Sequence, residues 1–316
     1  MQGAVGEGYF GGSGMRTLFR KLVKSALWAG LFVLSGQRFH ALKVVRGPAK
    51  GVTLSLDLRS QGSYWLGLYD DWILTRVDLA RFISAGDTVW DCGAFVGYYT
   101  AIFRLLVGDG GSVVSFEGSK TNYEALSRLP ILNSWDNVTI VNKAVGPAHS
   151  TVKFAGERGG SSGPRGLART AERGGECENL ETVESCGTDE IVFDQGYPLP
   201  SFIKFDIETG EIYALHNGDT IFSQHRPTLL LELHGLDAME AAGVFLEKYG
   251  YQSCPVHLLP HIGGGRERWD RAFCSHAVND GSGLSRLDQI PHMLFCLPNE
   301  RAPLASDKSE NFGQVR

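Results

Sequence analysis

From residue 85 onward, short continuous apolar runs alternate with segments whose apolar residues recur every three to four positions. Continuous apolar runs are typical of strands that are buried on both faces of a parallel sheet, and the longer period is typical of helices. The pattern therefore predicts an α/β domain with a mostly parallel seven-stranded sheet and helices on both faces. The predicted strands are 88–92, 112–117, 138–142, 202–206, 228–233, 251–256 and 293–297.

The chain before this domain has a different pattern. Residues 41–69 alternate apolar and polar positions, which indicates an antiparallel hairpin, and 71–82 has helical spacing. Between 155 and 177 glycine and arginine are frequent and no apolar period is visible, so we expect a loop insertion, either a mobile lid or a solvated linker. The predicted divisions are 1–40 (a disordered start and a basic and apolar helix), 41–84 (the hairpin and a helix), 85–298 (the main domain) and 299–316 (a polar tail).

Residues 15–36 join basic side chains to an apolar stretch that is shorter than the roughly 20 residues of a transmembrane helix. Three interpretations are open: a helix packed on the domain, a basic amphipathic helix on an anionic membrane surface, and a signal peptide or anchor. We expect a cytoplasmic protein, with peripheral membrane contact through 15–36 as the open alternative.

Composition narrows the range of partners. The formal net charge is −5, so the chain lacks the basic character of a nucleic-acid binder and we expect no such partner. None of the six cysteines forms a C-x-x-C pair, which favours buried free thiols over a zinc or redox motif. The pattern indicates no particular oligomeric state.

Acidic residues end four of the predicted strands: Asp91, Glu117, Asp206 and Glu232. In open α/β sheets, ligands bind at the carboxyl ends of the strands. We therefore expect these acids to converge on one rim of the sheet and to mark the functional site.

The turn after the first of these strands reads Asp91-x-Gly93-x-x-x-Gly97. Glycine lets the backbone approach a ligand closely, and the following helix N-terminus offers free N–H groups. A dinucleotide fingerprint starts with glycine, whereas Asp91 would repel a pyrophosphate and could hold the ammonium of an amino-acid cofactor, directly or through water. Glu117 suits the two hydroxyls of a ribose in either type of cofactor, unless it is only an exposed charge at the strand end.

The fourth and fifth strands carry ionisable residues on one side. Lys204, Asp206 and Glu208 alternate, and Glu232 and His234 share a face. Charges there are costly unless they are paired or used, so we expect either a general base with substrate-orienting acids or a structural cluster. His234 is either a proton acceptor or a hydrogen-bonded structural imidazole. Asp206 and Glu232 offer the oxygen ligands that Mg²⁺ prefers, but we predict no metal.

In their order and spacing these motifs resemble those of the FkbM-type methyltransferases, over roughly 69–248. The resemblance is carried by VWDCGAFVGYYT (89–100), FE (116–117), NKAVG (142–146), IKFDIETGE (203–211) and LELH (231–234). It implies a Rossmann-like class I methyltransferase fold and S-adenosylmethionine (SAM) as cofactor. It also implies O-methylation, with a hydroxyl of a sugar, glycolipid or secondary metabolite as the acceptor.

The resemblance further implies which residues form the site. Cofactor contacts are expected from Asp91, Gly93, Ala94, Gly97, Tyr98, Glu117, Lys143 and Ala144. The catalytic, acceptor-facing residues are expected to be Lys204, Asp206, Glu208, Glu232 and His234. In this assignment His234 or Asp206 is the general base and Lys204 orients the reacting groups.

The sequence departs from the family pattern at three places. The family usually has Asn where this chain has Phe95, Pro where it has Gly118, and Glu-Gly-Ala-Glu where 208–211 reads Glu-Thr-Gly-Glu. Such changes either alter acceptor choice or reduce activity. Two rival functions also stay open for the chain: an NAD-dependent oxidoreductase on a similar sheet, and a non-catalytic member of the fold.

Overall fold

The computed structural model of the protein describes residues 38–155, 165–167, 180–285 and 293–303. The predicted helix within 15–36, most of the predicted loop 155–177 and most of the predicted tail 299–316 lie outside the described residues.

The described chain contains strands and helices in the following order. The strands are β1 (His40–Lys43), β2 (Thr53–Leu56), β3 (Thr88–Cys92), β4 (Ser112–Phe116), β5 (Val138–Val141), β6 (Ala144–Val145), β7 (Ser150–Ala155), β8 (Arg165–Leu167), β9 (Leu180–Cys186), β10 (Phe202–Phe205), β11 (Thr228–Glu232), β12 (Tyr251–Pro255) and β13 (Met293–Pro298). The helices are α1 (Gly62–Trp65), α2 (Asp71–Leu74), α3 (Leu79–Phe82), α4 (Tyr98–Val107), α5 (Lys120–Leu126), α6 (Arg128–Asn133), α7 (Thr188–Phe193), α8 (Glu211–His216), α9 (Leu236–Tyr249), α10 (Arg266–His276) and α11 (Gly281–Ser285).

A seven-stranded sheet forms the centre, in the order β12-β13-β11-β10-β3-β4-β5. Neighbours pair in parallel except at β13, which is antiparallel to both β11 and β12. The predicted mostly parallel, seven-stranded Rossmann-like sheet is therefore confirmed. The chain moves outward from β3 through β4 to β5 on one side and from β10 to β11 on the other. The order thus reverses between β3 and β10, which is where ligands bind in such sheets.

Both faces of the sheet are buried, which explains the continuous apolar strands. Val89 and Phe202 face one cluster, in which they pack with Phe103 of α4. Their neighbours Trp90 and Ile203 face the opposite cluster, which also contains Phe245 of α9. Adjacent strand residues point to opposite faces, so a strand covered on both sides needs apolar residues at every position.

A second sheet was not predicted from the sequence. It contains four strands in the order β6-β9-β7-β8. β8 lies inside the predicted loop 155–177, so the expectation of an unstructured insertion is wrong for Arg165–Leu167. The β7–β9 pairing joins residues about 30 positions apart along the chain, and such distant pairing leaves little signal in local periodicity.

The predicted antiparallel hairpin is confirmed as β1 and β2. The predicted single helix over 71–82 is wrong, because Asp78 has a ψ of 81° and separates α2 from α3. Asn133 fixes the hairpin to the main domain, since its side chain accepts from the Thr53 N–H at 2.9 Å and donates to the Thr53 carbonyl at 2.8 Å. The hairpin therefore packs directly on the domain. Among the described residues, no helix has the length and apolar character to cross a membrane.

Gly97 is required by packing as well as by its backbone. It has a φ of +86°, and a Cβ there would lie 2.7 Å from both Leu126 Cδ1 and Leu129 Cδ2. Gly108 has a comparable φ of +66°, but a Cβ there would meet nothing within 4 Å. A comparison of alanine substitutions at the two positions therefore separates the cost of backbone strain from the cost of steric overlap.

We expect Gly97→Ala to lower the free energy of unfolding by about 1–3 kcal/mol more than Gly108→Ala, because overpacking adds to a shared backbone cost. Urea unfolding of the two variants measures this difference. Equal losses would contradict the packing explanation.

Candidate active site

The carboxyl ends of β10 and β11 bring the five predicted catalytic residues together. Lys204 Nζ lies 2.8 Å from Asp206 Oδ2. The Asp206 carboxyl group is hydrogen-bonded to that of Glu232, and His234 Nε2 lies 3.6 Å from Glu232 Oε1. Glu208 completes the group, with its Oε2 3.6 Å from His234 Nε2. Of the strand-end acids that were expected to converge, Asp206 and Glu232 meet in this group.

Lys204 is enclosed, with 1% of its surface exposed. Burial lowers the pKa of its ammonium, but the charge of Asp206 outweighs this and raises the pKa above its usual value. The Lys204 ammonium in turn holds the pKa of Asp206 below its usual value, although burial acts in the opposite direction. Its Nζ also lies 4.8 Å from the centre of the Tyr99 ring. Lys204 therefore orients Asp206 and keeps it ionised.

Asp206 and Glu232 hold a proton between them. Burial and the negative charge of Asp206 raise the pKa of Glu232 to about 8. Two carboxylates in contact cannot both be ionised without a large repulsion. Glu232 is therefore the protonated partner at neutral pH.

His234 is surrounded by acids. Its Nδ1 lies 2.6 Å from Glu211 Oε1, and Glu211 is fully buried. Burial lowers the pKa of the imidazole, but the hydrogen bond and charge of Glu211 outweigh it and raise that pKa to about 9. His234 is consequently an imidazolium at neutral pH, which makes it a hydrogen-bond donor. Glu211 is the last residue of the 203–211 motif but was not predicted as a site residue; its position three residues after Glu208 was the available signal.

Asp206, Glu232 and His234 each bring one ligand atom within 4.8 Å of the others. Oxygen and imidazole donors at such spacing suit a divalent cation. The Lys204 ammonium, however, already neutralises one oxygen of this group. The absence of a metal from the reaction stays a prediction.

Asp91 is the next-to-last residue of β3, and it is enclosed. Its Oδ2 accepts a hydrogen bond from Thr100 Oγ1 at 2.6 Å. Its Oδ1 is buried and has no partner among the described residues. Gly93, two residues further, has a φ of +82°, and a Cβ there would lie 1.8 Å from the Asp206 carbonyl oxygen. This glycine is therefore needed for contact between the β3 and β10 loops, whatever the cofactor.

Glu117 connects the end of β4 to the glycine turn. Its Oε2 accepts from the Phe95 N–H at 2.8 Å, and its Oε1 accepts from the Ser119 N–H at 2.9 Å and from Asn122 Nδ2 at 3.4 Å. Burial raises the pKa of Glu117 to about 7 although these donors lower it. A carboxylate has about four acceptor positions, so capacity for further hydrogen bonds is left.

The other predicted cofactor residues lie around this turn and beyond it. Ala94 and Tyr98 are buried, as is Ala144 in β6. Lys143 directly precedes β6, and its Nζ is 3.3 Å from Glu184 Oε2. Cofactor contact by these residues stays a prediction.

Residues before β3 also reach the site, and they were not predicted from the sequence. Asp70 Oδ2 accepts a hydrogen bond from the Tyr99 hydroxyl at 3.3 Å. The Tyr64 and Tyr69 rings stack with centroids 4.0 Å apart, and the Tyr64 ring lies 5.6 Å from that of Phe95. The alternation over 41–69 indicated strands, so no chemistry was sought there. A cluster of tyrosines next to an aspartate was the available signal.

Four residues of the site other than glycine have a left-handed backbone. They are Asp70 (φ 49°), Phe95 (φ 52°), Glu208 (φ 47°) and Thr209 (φ 76°). Positive φ is uncommon outside glycine and is most costly for bulky or β-branched side chains. Such strain clusters at functional sites.

We expect Thr209→Gly to raise the free energy of unfolding by about 1 kcal/mol, because relief of left-handed strain exceeds the extra entropy of an unfolded glycine. Thr209→Val keeps the β-branch and should give no gain. Urea unfolding of both variants checks this, and a loss of stability in Thr209→Gly would refute the strain.

Three solved structures illustrate what the chain is similar to. A putative rRNA methylase from Clostridium thermocellum is 12% identical, with a TM-score of 0.39, over 70% of this chain and 90% of its own. The FkbM methyltransferase of Methylobacillus flagellatus is 15% identical, with a TM-score of 0.32, over 69% and 49%. A SAM-dependent O-methyltransferase from Thermotoga maritima is 11% identical, with a TM-score of 0.36, over 70% and 63%. These scores are low, so the fold assignment rests on the strand order.

No curated protein matches the sequence significantly. The sequence profile of the methyltransferase FkbM domain matches residues 91–253, slightly more than half of the chain. This match spans the glycine turn, Glu117 and the Asp206–His234 group in one continuous domain. The chain therefore belongs to the FkbM methyltransferase family and is a SAM-dependent methyltransferase.

Proposed function

We propose that the protein transfers a methyl group to a hydroxyl of a sugar, glycolipid or secondary metabolite. The observation that carries this proposal is the group formed by Asp206, Glu232 and His234 at the rim beside the glycine turn. An ionised carboxylate accepts a hydroxyl proton, and an imidazolium donates a hydrogen bond to the same oxygen or its neighbour. Adjacent hydroxyls satisfy both kinds of group.

The residues present fit SAM. When bound, SAM supplies a methyl group activated by a sulfonium charge. The glycine turn at the end of β3 and the backbone-oriented carboxylate of Glu117 at the end of β4 would hold it, and Asp91 has an unpartnered buried oxygen beside that turn. The surplus of carboxylates on this rim favours a cationic ligand.

Asp206 is the residue we assign as proton acceptor. Its ion pair with Lys204 keeps it ionised, whereas the imidazolium of His234 has no free lone pair at neutral pH. As the acceptor oxygen is methylated, its proton passes to Asp206 and enters the pair with Glu232. His234, which the sequence left as an alternative base, is assigned as the hydrogen-bond donor that positions the acceptor.

We place the reaction in the cytosol, where SAM is made. The partner is a small-molecule hydroxyl compound, and no nucleic acid is proposed. Peripheral membrane contact through 15–36 stays a proposal, because that segment lies outside the described residues.

We expect Glu232→Ala to abolish methyl transfer while S-adenosylhomocysteine affinity stays within about twofold, because Glu232 serves the proton path and not the cofactor. Glu247→Ala, an exposed position on α9, is the matched control. Transfer of labelled methyl groups to a panel of sugars, glycolipids and polyols, with amines and carbon nucleophiles included, measures turnover, and calorimetry measures binding. Label that appears only on amines or carbon acceptors would overturn O-methylation, and unchanged turnover in Glu232→Ala would refute the acceptor-side assignment.

We expect the affinity for S-adenosylhomocysteine to fall as the pH drops through about 7, approaching tenfold per pH unit. The reason is that the pKa of Glu117 is raised to about 7, and only its ionised form accepts two ribose hydrogen bonds. Calorimetry at pH 6, 7 and 8 tests this. Glu117→Gln should bind more weakly and lose the pH dependence between pH 7 and 8; a wild-type affinity that does not vary with pH would contradict the role of Glu117.

A further inference from the structure

Asp70 has an unusual backbone for its position. It is the N-cap of α2, and its carbonyl accepts the N–H groups of Ile73 and Leu74, both at 2.9 Å. Its φ is +49°, and its side chain makes no capping hydrogen bond. An aspartate at an N-cap normally bonds the first turn and contributes about 1 kcal/mol. Here that contribution is forgone, and the backbone is held in a strained region.

The side chain is directed at the main domain instead. Asp70 Oδ2 accepts the Tyr99 hydroxyl at 3.3 Å, and Tyr99 lies in the first turn of α4, directly after the glycine turn. The other oxygen of Asp70 accepts no hydrogen bond from any residue that the structure describes. The carboxylate thus contacts the side chain of a residue that follows the glycine turn, and its other oxygen is available.

The segment that carries Asp70 is firmly placed. Gly67 has a φ of +63°, and a Cβ there would lie 1.8 Å from the Arg46 carbonyl oxygen. The Val45 N–H donates to the Trp65 carbonyl at 2.9 Å. Tyr64, stacked on Tyr69, also lies 5.9 Å from the ring of Tyr98. These contacts hold the segment before Asp70 against the residues around Arg46 and against the Tyr98 ring.

The amino-acid end of SAM carries an ammonium, which needs a carboxylate or carbonyl partner. Asp91 is fully buried under Thr100. Asp206 is engaged by Lys204 and Glu232. The Asp70 carboxyl group is partly exposed and has an oxygen that accepts no hydrogen bond in the described part of the chain. We infer that Asp70 binds the α-ammonium of SAM.

Electrostatics supports this assignment. Burial raises the pKa of Asp70, Lys204 lowers it and Asp206 raises it, with the result near 6. A carboxylate in such surroundings gains from a cationic partner. Asp70 lies outside the family-matched residues 91–253. The inference therefore gives a function to the segment before β3.

Calorimetry with two ligands tests the inference. S-adenosylhomocysteine has the ammonium, and 5′-methylthioadenosine lacks the whole amino-acid part. We expect Asp70→Asn to weaken S-adenosylhomocysteine about 10- to 100-fold, as for a lost charge-assisted hydrogen bond, and to leave 5′-methylthioadenosine within twofold. Asp71→Asn, at the exposed neighbouring position, should change neither affinity.

A glycine variant separates binding from folding. Glycine adopts a φ of +49° without strain, so Asp70→Gly should be at least as stable as wild type in urea and still lose affinity for S-adenosylhomocysteine. Unchanged S-adenosylhomocysteine affinity in both Asp70 variants would overturn the inference, as would an equal loss for 5′-methylthioadenosine. If wild type binds neither ligand, SAM binding itself is refuted, and this inference with it; loss of turnover with intact binding concerns the acceptor proposal alone.

Discussion

The buried ion pair between Lys204 and Asp206 sets the charge state of the whole site. Lys204 lies on β10, where it pairs in register with Asp91 of β3, and its ammonium reaches Asp206 just beyond the strand end. Burying a charge costs several kcal/mol unless a partner compensates, and removing one partner of such a pair costs about 3–5 kcal/mol. Lys204 therefore keeps Asp206 ionised, and the ionised Asp206 makes its neighbour Glu232 retain a proton.

Neighbouring charges set the protonation state of His234 in the same way. The buried carboxylate of Glu211 fixes its Nδ1, and Glu208 and Glu232 face its Nε2. Positive and negative charges alternate from the Lys204 ammonium through the Asp206–Glu232 pair to the His234 imidazolium. Each group therefore stabilises the protonation state of the next. A hydroxyl that binds at this group of side chains meets Asp206 as the proton acceptor and His234 as the hydrogen-bond donor. Proton removal and orientation of the hydroxyl require this combination.

How far the sequence predicts this arrangement depends on how local each signal is. β3, β4, β10 and β11 were predicted because two covered faces demand apolar residues at every position, and the acids stand out where those runs end. β7 and β9 pair across a long separation, and Asp70 reaches Tyr99 only through the packing of the hairpin segment. Neither the strand pairing nor the Asp70–Tyr99 contact changes the local composition of the chain, so neither could be predicted from the sequence. Glu211 was visible as a residue, but its contact with His234 depends on how α8 is placed.

The departures from the family pattern have a physical meaning in the structure. Phe95 and Thr209 stand where the family usually has Asn and Gly, and both have a positive φ, of 52° and 76°. Asn and Gly are the residues that accept this region most readily. This chain places less suitable residues at both positions. Phe95 presents its N–H to Glu117, and Thr209 follows Glu208, which faces His234. The strain thus lies in the two loops that orient the cofactor carboxylate and the acceptor-side imidazolium, where the surrounding contacts must hold the geometry against it.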